Sequence, residues 1–433
     1  MEAGSETENG CILFPIYRFI GGELKHVTIK SLITVVLIGM SSWLMVHNWQ
    51  HRAIFYNKYA FKAEEIKKYR HFPGALYDIG DRAWFNDDAA GAASFFRQAV
   101  RKDMFYMDAW LKLAQAEAVL GHPDMARTIL RFSNELTRNI YRWKWEQVLL
   151  ANELGMKELI LGNINFLVKH GQKVQDAFQL FDVYLGSNVK LAIQGLDPDT
   201  LIPYLEWLMR WDRADDAWIV WQKIVENGVQ DEEIRLKYIH FLVGQQQIER
   251  ATEIRGIDNQ DVDGMTNAGF ETEITGQGFD WRYTPDQKDR WIIRRTMTWA
   301  LNGSYSLQVR FEGKENISFG HLYQIVPVDP MIYYRLTFKW RSRDLTTDQG
   351  PFVDIYGYDC KGFYAEGPMM LGTNDWQKQE IEFTVPEDCH AVVVRLSRRP
   401  SRRFDSKIEG RLWLDEFKLE KVPPPELNVG MME

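Results

Sequence analysis

Hydrophobic periodicity changes once along this chain, near Ile257–Met265, and the change limits what can fold on either side of it. Before it, small and apolar residues recur at helical spacing, as in Ala92-Ala93-Ser94-Phe95-Phe96-Arg97-Gln98-Ala99-Val100. After it, the runs shorten and alternate: Ser306–Phe311, Tyr334–Trp340, Glu380–Val385 and Val392–Leu396, each closed by Gly, Pro or Asp turns. A period of 3.6 lines one face of a helix and a period of two lines one face of a strand. The chain is therefore expected to be multidomain, α then β, ending in an antiparallel β-sandwich. The polar stretch holding Asp258, Asp261, Asp263 and Gly264 marks 257–265 as a linker.

A second constraint lies near the start. Val27–Val46 is almost wholly apolar, with Lys30 near one end. At 1.5 Å per residue this run spans roughly 30 Å, the thickness of a bilayer's hydrocarbon core. Trp43 and Trp49 stand at one end, where an interfacial belt places them. The exit Leu44-Met45-Val46-His47-Asn48-Trp49 has no small-x-small cleavage pattern, which favours an uncleaved signal anchor at 27–47 over a signal peptide. A tail at 1–26 precedes it and a basic linker or helix at 48–72 follows. Arg18, Lys25 and Lys30 on one side face Arg52, Lys58, Lys62 and Lys67 on the other. That count slightly favours a cytoplasmic carboxyl side; the β module described below favours the opposite. The expectation is a single pass through a bacterial inner membrane, with the bulk of the chain periplasmic.

Between 73 and 256 the pattern echoes itself. Ala92 and Phe96 reappear thirty-four residues later as Ala126 and Leu130. Leu76, Ile79 and Gly80 reappear as Trp110, Leu113 and Ala114, and Ala217 as Ala251. Paired helices approach closely only where side chains are small, and each pair leaves an apolar face for the next to cover. The interval resembles the tetratricopeptide repeat. That resemblance implies an α-solenoid of about five degenerate helix pairs with a protein partner on its concave side; a plain spacer is the alternative. Gly121-His122-Pro123 and Asp197-Pro198 read as breaks between helices. The middle, around Ala177-Phe178-Gln179-Leu180-Phe181, does not keep the interval.

The β region, 266–421, carries three ordered phrases, with a tail at 422–433. Asn267-Ala268-Gly269-Phe270-Glu271, Gly303-Ser304-Tyr305-Ser306-Leu307-Gln308-Val309 and Trp413-Leu414-Asp415-Glu416-Phe417 resemble the opening, an early strand and the closing strand of jelly-roll carbohydrate-binding modules of the galactose-binding-like superfamily. The resemblance implies a jelly roll and a structural calcium shared by the opening and closing strands. Glu271 and Asp415 match the ligand positions; Glu416 departs from the family's second Asp. No other cofactor is implied. A sugar site needs aromatic faces with polar groups beside them, and the candidates are Trp281, Tyr283, Tyr356, Tyr358, Tyr364 and Trp376. Arg398, Arg399, Arg402 and Arg403 form a basic stretch that reads either as a solvated loop or as an anionic-ligand patch.

Other signals narrow the function classes. A net charge of −8 and a membrane anchor argue against nucleic acid as partner. Cys360 and Cys389 either pair, given an oxidising compartment, or remain separate thiols. His47 and His51 lack an adjoining Glu, Gly276-Gln277-Gly278 lacks a strand–loop–helix context, and Asp280, Asp286 and Asp289 do not reveal glycosidase spacing. The expected function is non-catalytic: an envelope scaffold that holds protein partners and a polysaccharide during exopolysaccharide or surface-glycan assembly. The alternatives are a protein–protein assembly factor and a glycan-active enzyme.

Overall fold

The computed structural model describes residues 31–49, 68, 70–256, 264–404 and 406–425. The tail 1–26, most of the two linkers and the end of the tail 422–433 lie outside the described residues. So do Cys11, His51 and the first residues of the apolar run. From Ser31 to Trp49 that run is one helix, α1, with exposed side chains and enough length and apolarity to cross a membrane.

The chain divides into two compact units. The first comprises Met1–Ser187 with Gly195–Thr200, the second Asn188–Gln194 with Leu201–Glu433. In the first unit, α2 (Pro73–Phe85), α3 (Ala89–Lys102), α4 (Met107–Val119) and α5 (Pro123–Leu136) follow one another across short turns. The repeated small residues are the crossing points. Ala92, Phe96, Ala126 and Leu130 are fully buried, and a Cβ on Gly80 would stand 2.7 Å from the Phe96 ring. The α4–α5 break uses Gly121 at a φ of +82°, with Pro123 opening the next helix. Next come α6 (Lys144–Glu153), α7 (Lys157–Lys169) and α8 (Val174–Tyr184). Here a polar residue takes over from small ones. Asn165 Nδ2 donates to the Gly195 carbonyl at 2.9 Å, and its Oδ1 accepts from Asp197 N at 3.0 Å and Thr200 Oγ1 at 3.1 Å. That clamp holds the Asp197-Pro198 break and replaces the lost interval.

The second unit holds all but the last residue of α9 (Val189–Gly195), then α10 (Leu201–Arg210), α11 (Ala214–Glu226), α12 (Glu232–Gly244) and α13 (Ile248–Arg255), with Ala217 and Ala251 fully buried. A sandwich of two antiparallel five-stranded sheets follows. One sheet has the order β1 (Arg282–Tyr283), β4 (Phe319–Pro327), β9 (Ala391–Arg398), β6 (Phe352–Gly357), β7 (Tyr364–Glu366). The other has β2 (Trp291–Thr296), β3 (Ser306–Glu312), β10 (Glu409–Lys421), β5 (Tyr333–Thr346), β8 (Gly372–Thr384). Alternate residues, such as Val353 and Ile355 on β6 and Val392, Val394 and Leu396 on β9, fill the core between them.

Helices α12 and α13 lie against one end of the first sheet. Tyr358 donates its hydroxyl to the Val243 carbonyl at 2.9 Å, and Gln246 Nε2 donates to the Tyr358 carbonyl at 3.3 Å. Gly278 N donates to His240 Nδ1 at 3.3 Å. Ile325 and Val393 face out of the sandwich at this end, yet both are 3% exposed. Cys360 and Cys389 are disulfide-bonded, which fixes the loop carrying Tyr358 to the start of β9.

Candidate functional site

The three family-like phrases converge on one spot, and their role there is structural. Asn267 closes its own turn: Nδ2 donates to the Thr272 carbonyl at 3.0 Å and Oδ1 accepts from Thr272 N at 3.1 Å. This points Phe270 into the core, 6.0 Å from the Phe417 ring of the closing phrase. Phe417 N in turn donates to the Ala268 carbonyl at 3.1 Å. Glu271 accepts from Ser304 N and Tyr305 N at 3.0 Å each. Gly303 has a φ of +74°, and a Cβ there would lie 2.3 Å from Glu271 Oε1, so a side chain would strain the backbone and displace the carboxylate. Asp415 is fully buried and accepts from Leu301 N at 2.9 Å and Glu416 N at 2.8 Å. Burial pushes its carboxyl up to about 6, against the opposing pull of those N–H groups.

A calcium cage needs six to eight oxygen ligands. The groups aimed at Glu271 and Asp415 are N–H donors, and Lys339, Lys378 and Lys418 line the same cleft of about 420 Å³. Among the described residues no third Asp, Glu, His or Cys joins them at ligand spacing. These side chains alone supply too few oxygens for a calcium cage, and the two carboxylates clasp the 301–305 loop. The acidic and sulfur group that does cluster, Asp359 with Cys360 and Cys389, has both sulfurs in the disulfide.

The aromatic candidates scatter. Trp281 is 1% exposed and packs 4.9 Å from Phe417 and 5.2 Å from Phe270, so it offers a sugar no face. Trp376 is half-buried on β8, in the other sheet. Tyr358 holds α12, as described. Tyr283 is exposed on the edge strand β1. Tyr356 and Tyr364 remain, and β6–β7 pairing places them directly opposite each other.

They belong to the outer face of the first sheet, which sequence reading missed as a unit. Register aligns Arg282, Tyr323, Arg395, Asp354 and Glu366 in one row across all five strands. Tyr356 and Tyr364 stand in the next row. Arg395 grips Asp354 through two bonds, Nε–Oδ1 at 3.0 Å and Nη2–Oδ2 at 2.7 Å, while Ser397 Oγ donates to Oδ1 at 3.0 Å. Those bonds hold the Arg395 guanidinium pKa above its usual value. Its plane lies 4.7 Å from the Tyr356 ring, and burial raises the Tyr356 hydroxyl. Tyr364 donates to Glu366 at 2.6 Å, and Arg399 bonds both while stacking 4.6 Å from Phe352. The Tyr323 and Tyr356 hydroxyls make no hydrogen bond among the described residues. Half-exposed rings beside pre-bonded guanidinium and carboxylate groups can stack on a sugar and hydrogen-bond its hydroxyls.

The basic stretch is not one patch. Arg398 is 1% exposed and donates to three backbone carbonyls: Gln349 at 3.0 Å, Ser406 at 2.9 Å and Ile317. Arg399 is neutralised by Glu366 and Arg403 approaches Asp348 at 3.3 Å, while Arg402 is exposed. Of the carboxylates near the first loop, Asp280 binds Thr275 and the Trp281 N–H. Arg290 holds Asp286 well below the usual carboxylate range.

No family model matches the chain. The tRNA nuclease WapA of Bacillus subtilis (strain 168) is 26% identical over 171 residues, 38% of this chain and 7% of that protein. The tRNA(Glu)-specific nuclease WapA of Bacillus subtilis subsp. natto (strain BEST195) matches to the same extent, 26% over 171 residues. The chain thus spans about 7% of the length of the curated relatives it matches. Among solved structures, the enzymatically active domain of bacteriophage CBA120 tailspike protein 4 is 14% identical with a TM-score of 0.29, covering 37% of this chain and 22% of that one. TmCBM61 in complex with β-1,4-galactotriose is 20% identical with a TM-score of 0.27, covering 37% and 99%. The CBM22-1 xylan-binding domain of Paenibacillus barcinonensis Xyn10C is 18% identical with a TM-score of 0.22, covering 36% and 93%.

Proposed function

We propose that this chain is a non-catalytic, membrane-anchored scaffold of a bacterial envelope, in which the β-sandwich holds a polysaccharide and tetratricopeptide-like helix pairs dock protein partners. Its place would be exopolysaccharide or surface-glycan assembly or export. The observation that carries the reading is the outer face of the β1-β4-β9-β6-β7 sheet, where Tyr323 and Tyr356 flank the fixed Arg395–Asp354 pair. The apolar helix α1 supports an anchor, and the Cys360–Cys389 disulfide supports a periplasmic location, since such bonds persist in oxidising compartments. The nuclease activity named in the WapA relatives is not part of this reading, given the small share of those proteins that the chain spans.

Affinity electrophoresis of the full chain in detergent, through gels containing neutral or acidic polysaccharides, tests the glycan reading. At least one polymer should retard the protein. Tyr356→Ala should weaken retardation about tenfold, a loss of one stacking platform, while Trp376→Ala should not. Normal migration through every gel would sink it. The second reading, a protein-assembly factor without a glycan, draws on the end of the same sheet that α12 already holds through Tyr358 and Gly278. It predicts retention by a protein partner and by no polymer.

A further inference from the structure

The sugar-facing row contains one cation that no carboxylate engages. Arg395 is paired with Asp354, and Arg399 with Glu366. Arg282 is held instead by two carbonyls, Nε on Gly276 at 3.2 Å and Nη2 on Gly278 at 2.6 Å. A guanidinium has five N–H donors, so most of its hydrogen-bonding capacity remains. Asp280, whose charge it feels, is already taken by Thr275 and the Trp281 N–H. Arg282 is half-buried, and burial pulls its pKa below the usual value. After burial, it also helps depress the pKa of His240, which opposes a second positive charge beside it. Leaving a charge partly desolvated without a counter-ion is costly, and the surrounding loop holds it in place nonetheless.

Its position relates that charge to the glycan face. Arg282 is directly opposite Tyr323, which is directly opposite Arg395. Strands are about 4.8 Å apart, so Arg282 stands one strand from Tyr323, two from Arg395 and three from Asp354. A sugar stacked on Tyr323 would carry its substituents toward Arg282.

We propose that the polysaccharide held here is acidic and that Arg282 binds its carboxylate, the planar oxyanion that fits a guanidinium fork. This rests on the glycan reading above and adds the ligand's charge to it. A sulfate ester presents related chemistry, so the test separates the two.

The full chain in detergent is run through gels containing polygalacturonate, alginate or hyaluronate, their carboxyl-reduced forms, dextran, and dextran sulfate. The expected result is retardation by at least one uronate polymer and tenfold or greater weakening on carboxyl reduction. Arg282→Gln should reproduce that loss, and Arg282→Lys should restore part of the binding. Hydrogen exchange of β4 and β9 in each variant separates lost binding from lost fold. Equal binding of a polymer before and after reduction, or unchanged binding by a folded Arg282→Gln protein, overturns the inference while leaving the glycan reading standing. Retardation by dextran sulfate alone overturns the carboxylate assignment. Failure to bind any polymer removes the underlying reading as well.

Discussion

Replacing Arg398 by Met should loosen three loops at once. Its guanidinium reaches carbonyls in the β3–β4 loop (Ile317), the β5–β6 loop (Gln349) and the β9–β10 loop (Ser406), with weaker contacts to Asn316 Oδ1 at 3.4 Å and Thr347 Oγ1 at 3.3 Å. Two effects oppose each other. Removing a buried cation recovers its desolvation cost, a few kcal/mol, and burial does pull the Arg398 pKa down. However, the acceptors are backbone carbonyls that the substitution cannot remove. Each buried acceptor left bare costs about 1–3 kcal/mol, so the three together cost about 3–9 kcal/mol and outweigh the recovery. The net expectation is a loss of about 3 kcal/mol, equivalent to roughly 100-fold faster hydrogen exchange at about 1.4 kcal/mol per tenfold. The increase should appear in 313–318, 347–351 and 399–404 together, read by mass spectrometry on the full chain. Arg398→Lys should recover only part, because an ammonium donates from a single point. Exchange that rises only beside residue 398, or does not rise at all, would refute the view of Arg398 as the tie between these loops.

Three further outcomes follow from residues already described. Cys360→Ala with Cys389→Ala opens a loop with a sequence separation of 29, and the chain-entropy relation gives a loss of about 3.6 kcal/mol; a melting temperature equal to the parent's would contradict it. Asp415, with its folded pKa raised to about 6, binds its proton more readily folded than unfolded, so its contribution is fully present below about pH 4 and is lost as pH rises through 6. The span is about 3 kcal/mol, and Asp415→Asn should flatten that part of the stability–pH curve while added calcium leaves the melting temperature unchanged. Gly303→Ala forces a Cβ into a left-handed backbone beside Glu271, costing at least about 1–2 kcal/mol and lowering the melting temperature.

Much of the fold was legible because its signals are local. The shift from helical to alternating periodicity placed the helices before the strands, and the thirty-four-residue interval located Gly80, Ala92 and Ala126 at helix crossings. The phrases around Phe270, Gly303 and Asp415 identified where the sandwich closes, and there they clasp the 301–305 loop. Alternation also held an unused signal. Val392, Val394 and Leu396 point inward, so Arg398 shares their parity and belongs inside, while Arg395 belongs outside. The outer face of the first sheet was illegible, because it depends on register between strands distant in sequence. Nothing local aligns Arg282 with Tyr323, or Arg395 with Asp354. Trp281 misled for the same reason: its neighbours in sequence are polar, but its neighbours in space are Phe270 and Phe417.

The bonds from Tyr358 to Val243 and from Gly278 to His240 make the sandwich a poor candidate for transplantation on its own. A gene fragment starting at residue 266 would leave the Tyr358 hydroxyl and the Gly278 N–H without their helical partners Val243 and His240. The inheritable module, the piece that recombination could move between proteins intact, is the second unit, which begins at Asn188 and carries α10–α13 with the sandwich.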